Sequence, residues 1–387
     1  NSAIFTNFSH DHLDYHKNFK NYLRAKLYLF ENLIKKQGNI ISDSIIPEFK
    51  EIKKIAFNKK LKLYSIKEDK NNFKILSHRF QDASQLLKIK FRNNILNIKL
   101  NLIGKIQLKN VLMSIIAASN SNLSLYKILN IISKLKPIEG RLENIGQINN
   151  KSKVILDYAH TPQALKICLL NLREQFPNKK IIVLFGCGGN RDKDKRPKMG
   201  KIACKYSDKI YLTNDNPRYE NPRSIRQEIK KGIKKTKVIE ISNREKAITE
   251  SIRDLKSGNI LLVAGKGHEK SQDFGNKKIN FSDRKVILNQ IRIKNKNLFS
   301  NLKINVIKEV SGKKKFPSLI KFNNARINSR EISKNDVFFA IKGKKNDGNK
   351  FVAQSFKKKA SLAIVNKIQN KVKINRQIKV KNTLKFL

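Results

Sequence analysis

Between residues 141 and 264 the chain alternates short, largely apolar runs with segments of helical spacing. The apolar runs are 153–157, 180–185, 209–213, 237–240 and 259–263, and helical patterns fall at 162–175, 198–206, 222–234 and 243–255. A run that short with few polar residues reads as a strand buried on both faces. Strand and helix in strict alternation predict a largely parallel, doubly wound sheet. Ligands of such sheets sit outside the carboxyl ends of the strands, so the residues after each strand are the ones to read for chemistry.

The pattern differs on either side. Residues 3–6 read as the end of a buried strand. Residues 18–36 have helical spacing through Phe19, Leu23, Leu27, Phe30 and Ile34. Residues 52–102 read as strands, with a hairpin over Phe91–Leu100 around Asn93-Asn94. Helices follow near 107–119 and 124–135, the second closed by Pro137. Residues 292–315, rich in Lys and Asn without periodicity, read as a linker. Residues 316–387 restart a small α/β pattern: a strand from Asp336, a helix near 350–359 and a strand at Leu362–Val365.

Charge changes this picture less than its size suggests. The formal net charge is +54 over 387 residues, which invites a nucleic-acid reading. The lysines are dispersed, however, as Lys201, Lys205 and Lys209 show within one ordinary segment. Dispersion argues for a drift of composition and against a specific nucleic-acid face; loose polyanion binding is all it implies. Cys168, Cys187 and Cys204 have no metal or disulfide spacing and suit a reducing, cytoplasmic setting. Cys187 reads as a small residue in a tight turn or as a nucleophile with no His near it in sequence. No apolar run approaches the roughly 20 residues that span a bilayer, so no membrane insertion is expected.

Candidate chemistry sits where the sheet predicts it. After 180–185 comes Gly186-Cys187-Gly188-Gly189-Asn190-Arg191-Asp192, whose glycines either present N–H groups to an anion or make a tight turn. After 209–213 comes Asn214-Asp215-Asn216-Pro217-Arg218, which offers a carboxylate, an amide and a guanidinium. Those groups suit a zwitterion, although Asn-Pro also suits a helix-entry turn. After 259–263 comes Gly265-Lys266-Gly267-His268-Glu269, which does not meet the phosphate-loop pattern G-x-x-x-x-G-K-[ST]. Asp157 and His160 follow the first strand and suit a ribose and a base. At the amino end, Ser9-His10-Asp11-His12-Leu13-Asp14-Tyr15-His16 packs histidines and carboxylates densely enough for a metal, or forms a turn rich in helix caps.

Seven strings occur in order: Thr6 to His16, Tyr22-Leu23-Arg24-Ala25-Lys26, Gly140-Arg141-Leu142-Glu143, Asp157 to Pro162, Phe185 to Asp192, Asp215 to Arg218, and Gly265 to Glu269. Together they resemble the Mur ligases, in the branch that adds meso-diaminopimelate, over roughly residues 1–291. The resemblance implies an α/β chain in four parts. Residues 1–139 would be the carboxyl-terminal part of a P-loop-type central ATPase domain. Residues 140–291 would be a doubly wound, Rossmann-like amino-acid-binding domain. Residues 292–315 would be a linker, and 316–387 part of a small amino-terminal-like α/β domain. It further implies a peptide-bond-forming ligase of peptidoglycan synthesis that uses ATP and Mg²⁺ and joins meso-diaminopimelate to a UDP-N-acetylmuramoyl dipeptide through an acyl phosphate. Carried over by position, His12 and a carbamylated Lys26 would be catalytic and hold Mg²⁺. Arg141, Asp157 and His160 would contact ATP. Arg191, Asp215, Asn216, Pro217, Arg218, Gly265 and Glu269 would hold meso-diaminopimelate.

The chain departs from the family pattern in two ways. It contains no P-loop string, so it is expected to be a fragment, inactive alone. Asn328-Ser329-Arg330, Asp336 to Gly343 and Asp347-Gly348 resemble the opening of the next ligase in the same series, which adds D-alanyl-D-alanine, so a fused two-enzyme protein is expected. The competing expectation is a non-catalytic, basic, polyanion-binding remnant.

Overall fold

The computed structural model describes residues 2–9, 13–66, 73–91, 94–121, 123–234, 237–296, 323–343 and 346–386. It falls into two compact units, Asn1–Ile291 and Arg292–Leu387. Among the described residues, no helix is long and apolar enough to cross a membrane.

The first unit opens with β1 (Ser2–Phe5), α1 (Leu13–His16), α2 (Phe19–Tyr28), β2 (Asn39–Ser42), α3 (Phe49–Asn58) and β3 (Lys62–Ser65). The three strands pair in parallel in the order β1-β2-β3. Asn18 caps α2 through its side chain, and a π-helical turn, Leu29–Leu33, ends it. Leu27 and Phe30 bury against Phe5, Ile40, Ile52 and Ala56.

The strand reading of 52–102 fails at its start. Phe49–Asn58 is a helix, because Ile52 and Ala56 recur four residues apart and bury one stripe while the lysines between them face solvent. Beyond it come β4 (Phe73–Gln81), β5 (Ser84–Phe91) and β6 (Asn94–Leu100), an antiparallel meander. Phe91 pairs with Asn94, so the expected hairpin is there; Arg92 and Asn93 lie outside the described residues. Leu87, Ile89, Ile98 and Leu100 of this sheet pack with α4 (Lys105–Ser119) and α5 (Leu125–Ile132) in one core.

The rest of the unit alternates strand and helix. The strands are β7 (Glu143–Gln147), β8 (Lys153–Asp157), β9 (Ile181–Phe185), β10 (Lys209–Leu212), β11 (Lys237–Glu240) and β12 (Ile260–Ala264). The helices are α6 (Pro162–Gln175), α7 (Lys195–Tyr206), α8 (Pro222–Lys230) and α9 (Arg244–Arg253). Sheet order is β11-β10-β9-β12-β8-β7, parallel apart from antiparallel β7. Every residue of β8, β9 and β12 is buried, as central strands covered on both faces require. Thr161, Asn221 and Asn243 cap α6, α8 and α9, with Pro162 and Pro222 at the first helical position of α6 and α8.

Several elements of this unit were not read from the sequence, β2 and β7 among them. A hairpin of β13 (Ser271–Asp273) and β14 (Lys278–Asn280) follows β12. A helix, α10, then spans 283–296, so residues 292–296 are helical and not linker. The remainder of the expected linker, 297–315, lies outside the described residues.

The two halves of this unit are docked through α6. Gly104 N–H donates to Gln175 Oε1 at 3.2 Å and Ile106 N–H to Asn171 Oδ1 at 3.2 Å, so side chains of α6 satisfy amides at the start of α4. Gln175 Nε2 donates to the carbonyls of Asp82 and Ser84 at 2.7 and 3.0 Å. Gly104 has φ +86°, and a Cβ there would lie 2.8 Å from Asn171 Oδ1.

The second unit has β15 (Ala325–Arg326), β16 (Val337–Phe339), α11 (Val352–Lys357), β17 (Leu362–Val365), β18 (Gln377–Lys379) and α12 (Thr383–Phe386). Its four strands are parallel in sequence order. Buried Asp336 accepts the N–H groups of Asn324 and Ser333 at 3.0 Å each, which pins the turn ahead of β16.

Gln175→Leu removes the side-chain partner of the Gly104 N–H and of the Asp82 and Ser84 carbonyls. We expect a loss of about 1–3 kcal/mol of stability, seen as a lower thermal midpoint with unchanged helical circular dichroism before the transition.

Candidate functional site

A cleft of about 750 Å³ opens where β8, β9, β10 and β12 end. Asn7 and Ser9, after β1, and Gln107 and Asn110 of α4 form its other side. Arg141, Asp157, His160, Arg191, Asp215, Asn216, Arg218, Gly265 and Glu269 all line it. The structure therefore brings together both residue groups that the sequence had suggested for a nucleotide and for an amino acid. Pro217 stands behind the lining, with its carbonyl against Gly189.

The metal pair is different. His12 lies outside the described residues. Lys26 is not among the cleft-lining residues; its Nζ is 5.2 Å from the Tyr22 ring and 5.9 Å from the Phe5 ring. Among the described residues, no group of three or more His, Cys, Asp or Glu is placed to hold a metal. An unmodified lysine amine gives Mg²⁺ no oxygen ligand.

At the residues expected to contact a nucleotide, Asp157 accepts Leu142 N–H and Ala159 N–H, each at 2.7 Å. Burial pushes this carboxyl above its ordinary range, against the pull of those two amides. The carboxylate is thus spent on holding the Arg141–Leu142 turn, where Leu142 takes φ +44°. Arg141 lies 4.9 Å over the Tyr158 ring, which meets His160 at 4.7 Å and His268 at 5.3 Å. Three rings and a guanidinium make a surface on which a planar base can stack. Sequence reasoning gave Tyr158 and His268 no role; their placement depends on Gly267, where a Cβ would come 2.8 Å from Tyr158 Cβ.

At the residues expected to hold an amino acid, the glycine run turns out to be a packing surface. A Cβ on Gly186 would stand 2.3 Å from Thr213 O, and one on Gly189 would stand 1.9 Å from Pro217 O. Neither glycine is among those with positive φ, so close approach of the 213–217 loop is what requires them. Arg196, fully buried, clamps the two loops. Its guanidinium donates to both oxygens of Glu220 at 2.9 Å, to Glu228 at 2.8 Å and to Gly188 O at 3.3 Å. Cys187 is buried against Met199, and burial pushes its thiol up to about 12, which removes the nucleophile reading.

Asp215 accepts Asn216 N–H through Oδ1 at 2.7 Å. Its Oδ2 is buried and, among the described residues, has no hydrogen-bond partner; the Arg244 guanidinium is 3.9 Å away. Gly265, at φ +113°, leaves room for it, since a Cβ there would lie 2.7 Å from that oxygen. Arg244 itself is fully buried and paired twice with Asp283, at 2.8 and 2.6 Å. It also donates to Ala264 O at 2.9 Å and Asn214 O at 3.5 Å. Lys266, also fully buried, donates to Asn216 Oδ1 at 2.8 Å and Glu269 Oε2 at 2.6 Å. Burial would raise Glu269, but the Lys266 ammonium and the Asn216 amide hold it below its ordinary value. Arg218, at φ +50°, donates to Gly189 O at 2.8 Å, and its Nε is 3.6 Å from Asp273 Oδ2 in the β13–β14 hairpin. Arg196, Arg244, Lys266 and Asp273 were all given no role: Arg196, Arg244 and Asp273 find their partners in distant loops, and Lys266, three residues from its partner Glu269, is one more cation in a lysine-rich chain.

Three successive stretches of the chain match domains of one family. Residues 1–118 match the Mur ligase middle domain, 140–267 the Mur ligase glutamate ligase domain, and 321–384 the catalytic domain of the Mur ligase family. The chain belongs to the Mur ligase family. Among curated relatives, the UDP-N-acetylmuramoyl-L-alanyl-D-glutamate--2,6-diaminopimelate ligase of Rickettsia rickettsii is 40% identical over 294 residues, covering 76% of this chain and 60% of that one. The enzyme of the same name from Rickettsia bellii (strain RML369-C) is 41% identical over 287 residues, with 74% and 60% coverage. A solved structure of a ligase with that name superposes at TM-score 0.54 with 29% identity, over 76% of this chain and 60% of that chain. The Thermotoga maritima MurF ligase in complex with ADP superposes at 0.57 with 15% identity, over 76% and 62%, and shows the shared fold. The chain spans about 60% of the length of the curated relatives it matches.

Two outcomes follow from the packing. Cys187 should resist iodoacetamide at pH 8.5 in the native protein and react once denatured, as mass spectrometry would show, because its thiolate forms only near pH 12. Gly189→Ala should part the two loops and cost on the order of 1–3 kcal/mol, measured by denaturant unfolding.

Proposed function

We propose that this chain carries the acceptor site, and part of the nucleotide site, of an ATP-dependent ligase that adds meso-diaminopimelate to UDP-N-acetylmuramoyl-L-alanyl-D-glutamate in peptidoglycan synthesis. The observation that carries the reading is the buried Asp215 Oδ2, which among the described residues accepts no hydrogen bond and has only the Arg244 guanidinium at 3.9 Å, in a cleft also lined by Arg191 and Arg218. An ammonium satisfies that oxygen, and the guanidinium groups satisfy carboxylates. A ligand with a zwitterion at each end uses both. The names of the relatives support the same substrate.

The chemistry is phosphoryl transfer followed by acyl transfer. The glutamate carboxylate of the dipeptide takes the γ-phosphoryl of ATP, forming an acyl phosphate and ADP. The free amine of meso-diaminopimelate attacks the acyl carbon, loses a proton and expels phosphate. Stacking against Arg141, Tyr158 and His160 would place the nucleotide in the same cleft as the amine. Mg²⁺ would neutralise the phosphates, held through His12 and a carbamylated Lys26. We place the protein in the cytoplasm, a reading supported by its three free cysteines. We read residues 316–387 as the opening of a second ligase fused to the first, in keeping with the third family match at 321–384.

Calorimetry with meso-diaminopimelate and L-lysine tests the assignment. The protein should bind the first at least about tenfold more tightly, and Arg218→Ala should remove most of that margin, as expected for loss of a charged hydrogen-bond pair. Equal binding of both ligands, with DNA binding that falls steeply with salt, would establish the polyanion-binding alternative instead.

A further inference from the structure

Lys266 is a fully buried ammonium that no step above uses. It is the second residue after β12 and lies between two residues of the cleft, Asn216 and Glu269. Its three N–H groups only donate. Asn216 Oδ1 receives one of them at 2.8 Å and also receives Asp273 N–H at 3.0 Å. Asn216 Nδ2 donates to Glu269 Oε2 at 3.0 Å. Neither a lysine ammonium nor a backbone N–H can accept, so the amide orientation is fixed by all three contacts together. The oxygen of Asn216 is filled, and what the amide retains for a ligand is an N–H.

The same ammonium offsets Glu269. It lies 2.6 Å from Oε2, and the Glu269 side chain is 30% exposed on the cleft side while Lys266 is fully buried. Without that cation, this end of the cleft would carry two carboxylates, Asp215 and Glu269, facing the ligand. Such an end attracts a bare ammonium and repels a carboxylate. With it, one negative charge is neutralised from behind, and a donor N–H is offered beside it.

Resting on the proposed acceptor site, we infer that Lys266 is a positioning residue that sets the polarity of this end of the cleft, and so selects an acceptor with a second carboxylate over one with an ammonium alone. Selection then depends on a residue the ligand does not touch. It acts by orienting Asn216 and by cancelling the charge of Glu269.

The test is calorimetric titration of the full chain with meso-diaminopimelate and with L-lysine, for wild type, Lys266→Met and the double variant Lys266→Met/Glu269→Gln. A loss of packing alone weakens both ligands alike. The charge role does not. Lys266→Met should weaken meso-diaminopimelate by about ten- to hundredfold while L-lysine binds as well as before or better. The double variant removes the unmatched carboxylate, so it should recover part of the preference. It also leaves no unpaired charge behind, so it decides the matter if Lys266→Met does not fold. If both variants lose the two ligands in equal proportion, the inference is overturned and the acceptor site stands. If the wild type shows no preference, the acceptor-site reading fails and takes this inference with it.

Discussion

The buried pair of Arg244 and Asp283 is the constraint on which the cleft depends. Stripping both groups of water costs several kcal/mol per ion, and the structure offsets this with two parallel hydrogen bonds between them. The remaining donors of Arg244 reach the carbonyls of Asn214 and Ala264, at the carboxyl ends of β10 and β12. One guanidinium therefore ties together two strand ends and the start of α10. Asp215, Gly265 and Lys266 are the residues immediately after those ties. Their spacing is set by a group that lies beneath the cleft floor.

A second clamp works beside the first. Arg196 and Glu220 hold the 186–190 loop against the 213–218 loop, and the glycines let the two backbones touch. Across the cleft, Asn171 and Gln175 hold the start of α4 against α6. Gln107 of α4 then donates to Arg141 O at 3.0 Å, which joins the two walls at their rim. The cleft-lining residues that follow β8, β9, β10 and β12 thus sit on a single hydrogen-bonded frame with those of α4.

Much of this was legible in the sequence, for a physical reason. Strands buried on both faces leave apolar runs that few other elements imitate, and β8 and α6 fall on the residues expected of them. The strand-end loops could be read because the rule relating them to ligands is topological. Phe49–Asn58 was misread because its isoleucines and phenylalanines have strand propensity, and only the four-residue recurrence of Ile52 and Ala56 marks the helix. The supporting cations were not legible. Asp157 was suggested for a ribose; that its two oxygens also accept backbone amides fifteen residues and two residues away could not be read. Partnership across sequence distance leaves no local pattern.

The clamps also say something about the composition. Lysine is the default cation of this chain, and almost any exposed positive position is served by it. Yet Arg173, Arg196, Arg226 and Arg244 all sit where a planar fork meets a carboxylate and a second acceptor at once. A single ammonium cannot reproduce that geometry. In a sequence drifting towards lysine, these four arginines act as a watermark of the joints where two acceptors must be met at once, while others, Arg24 and Arg376 among them, simply lie exposed. What marks a joint is therefore the meeting of the rarer cation with a carboxylate and a second acceptor, and not its retention alone.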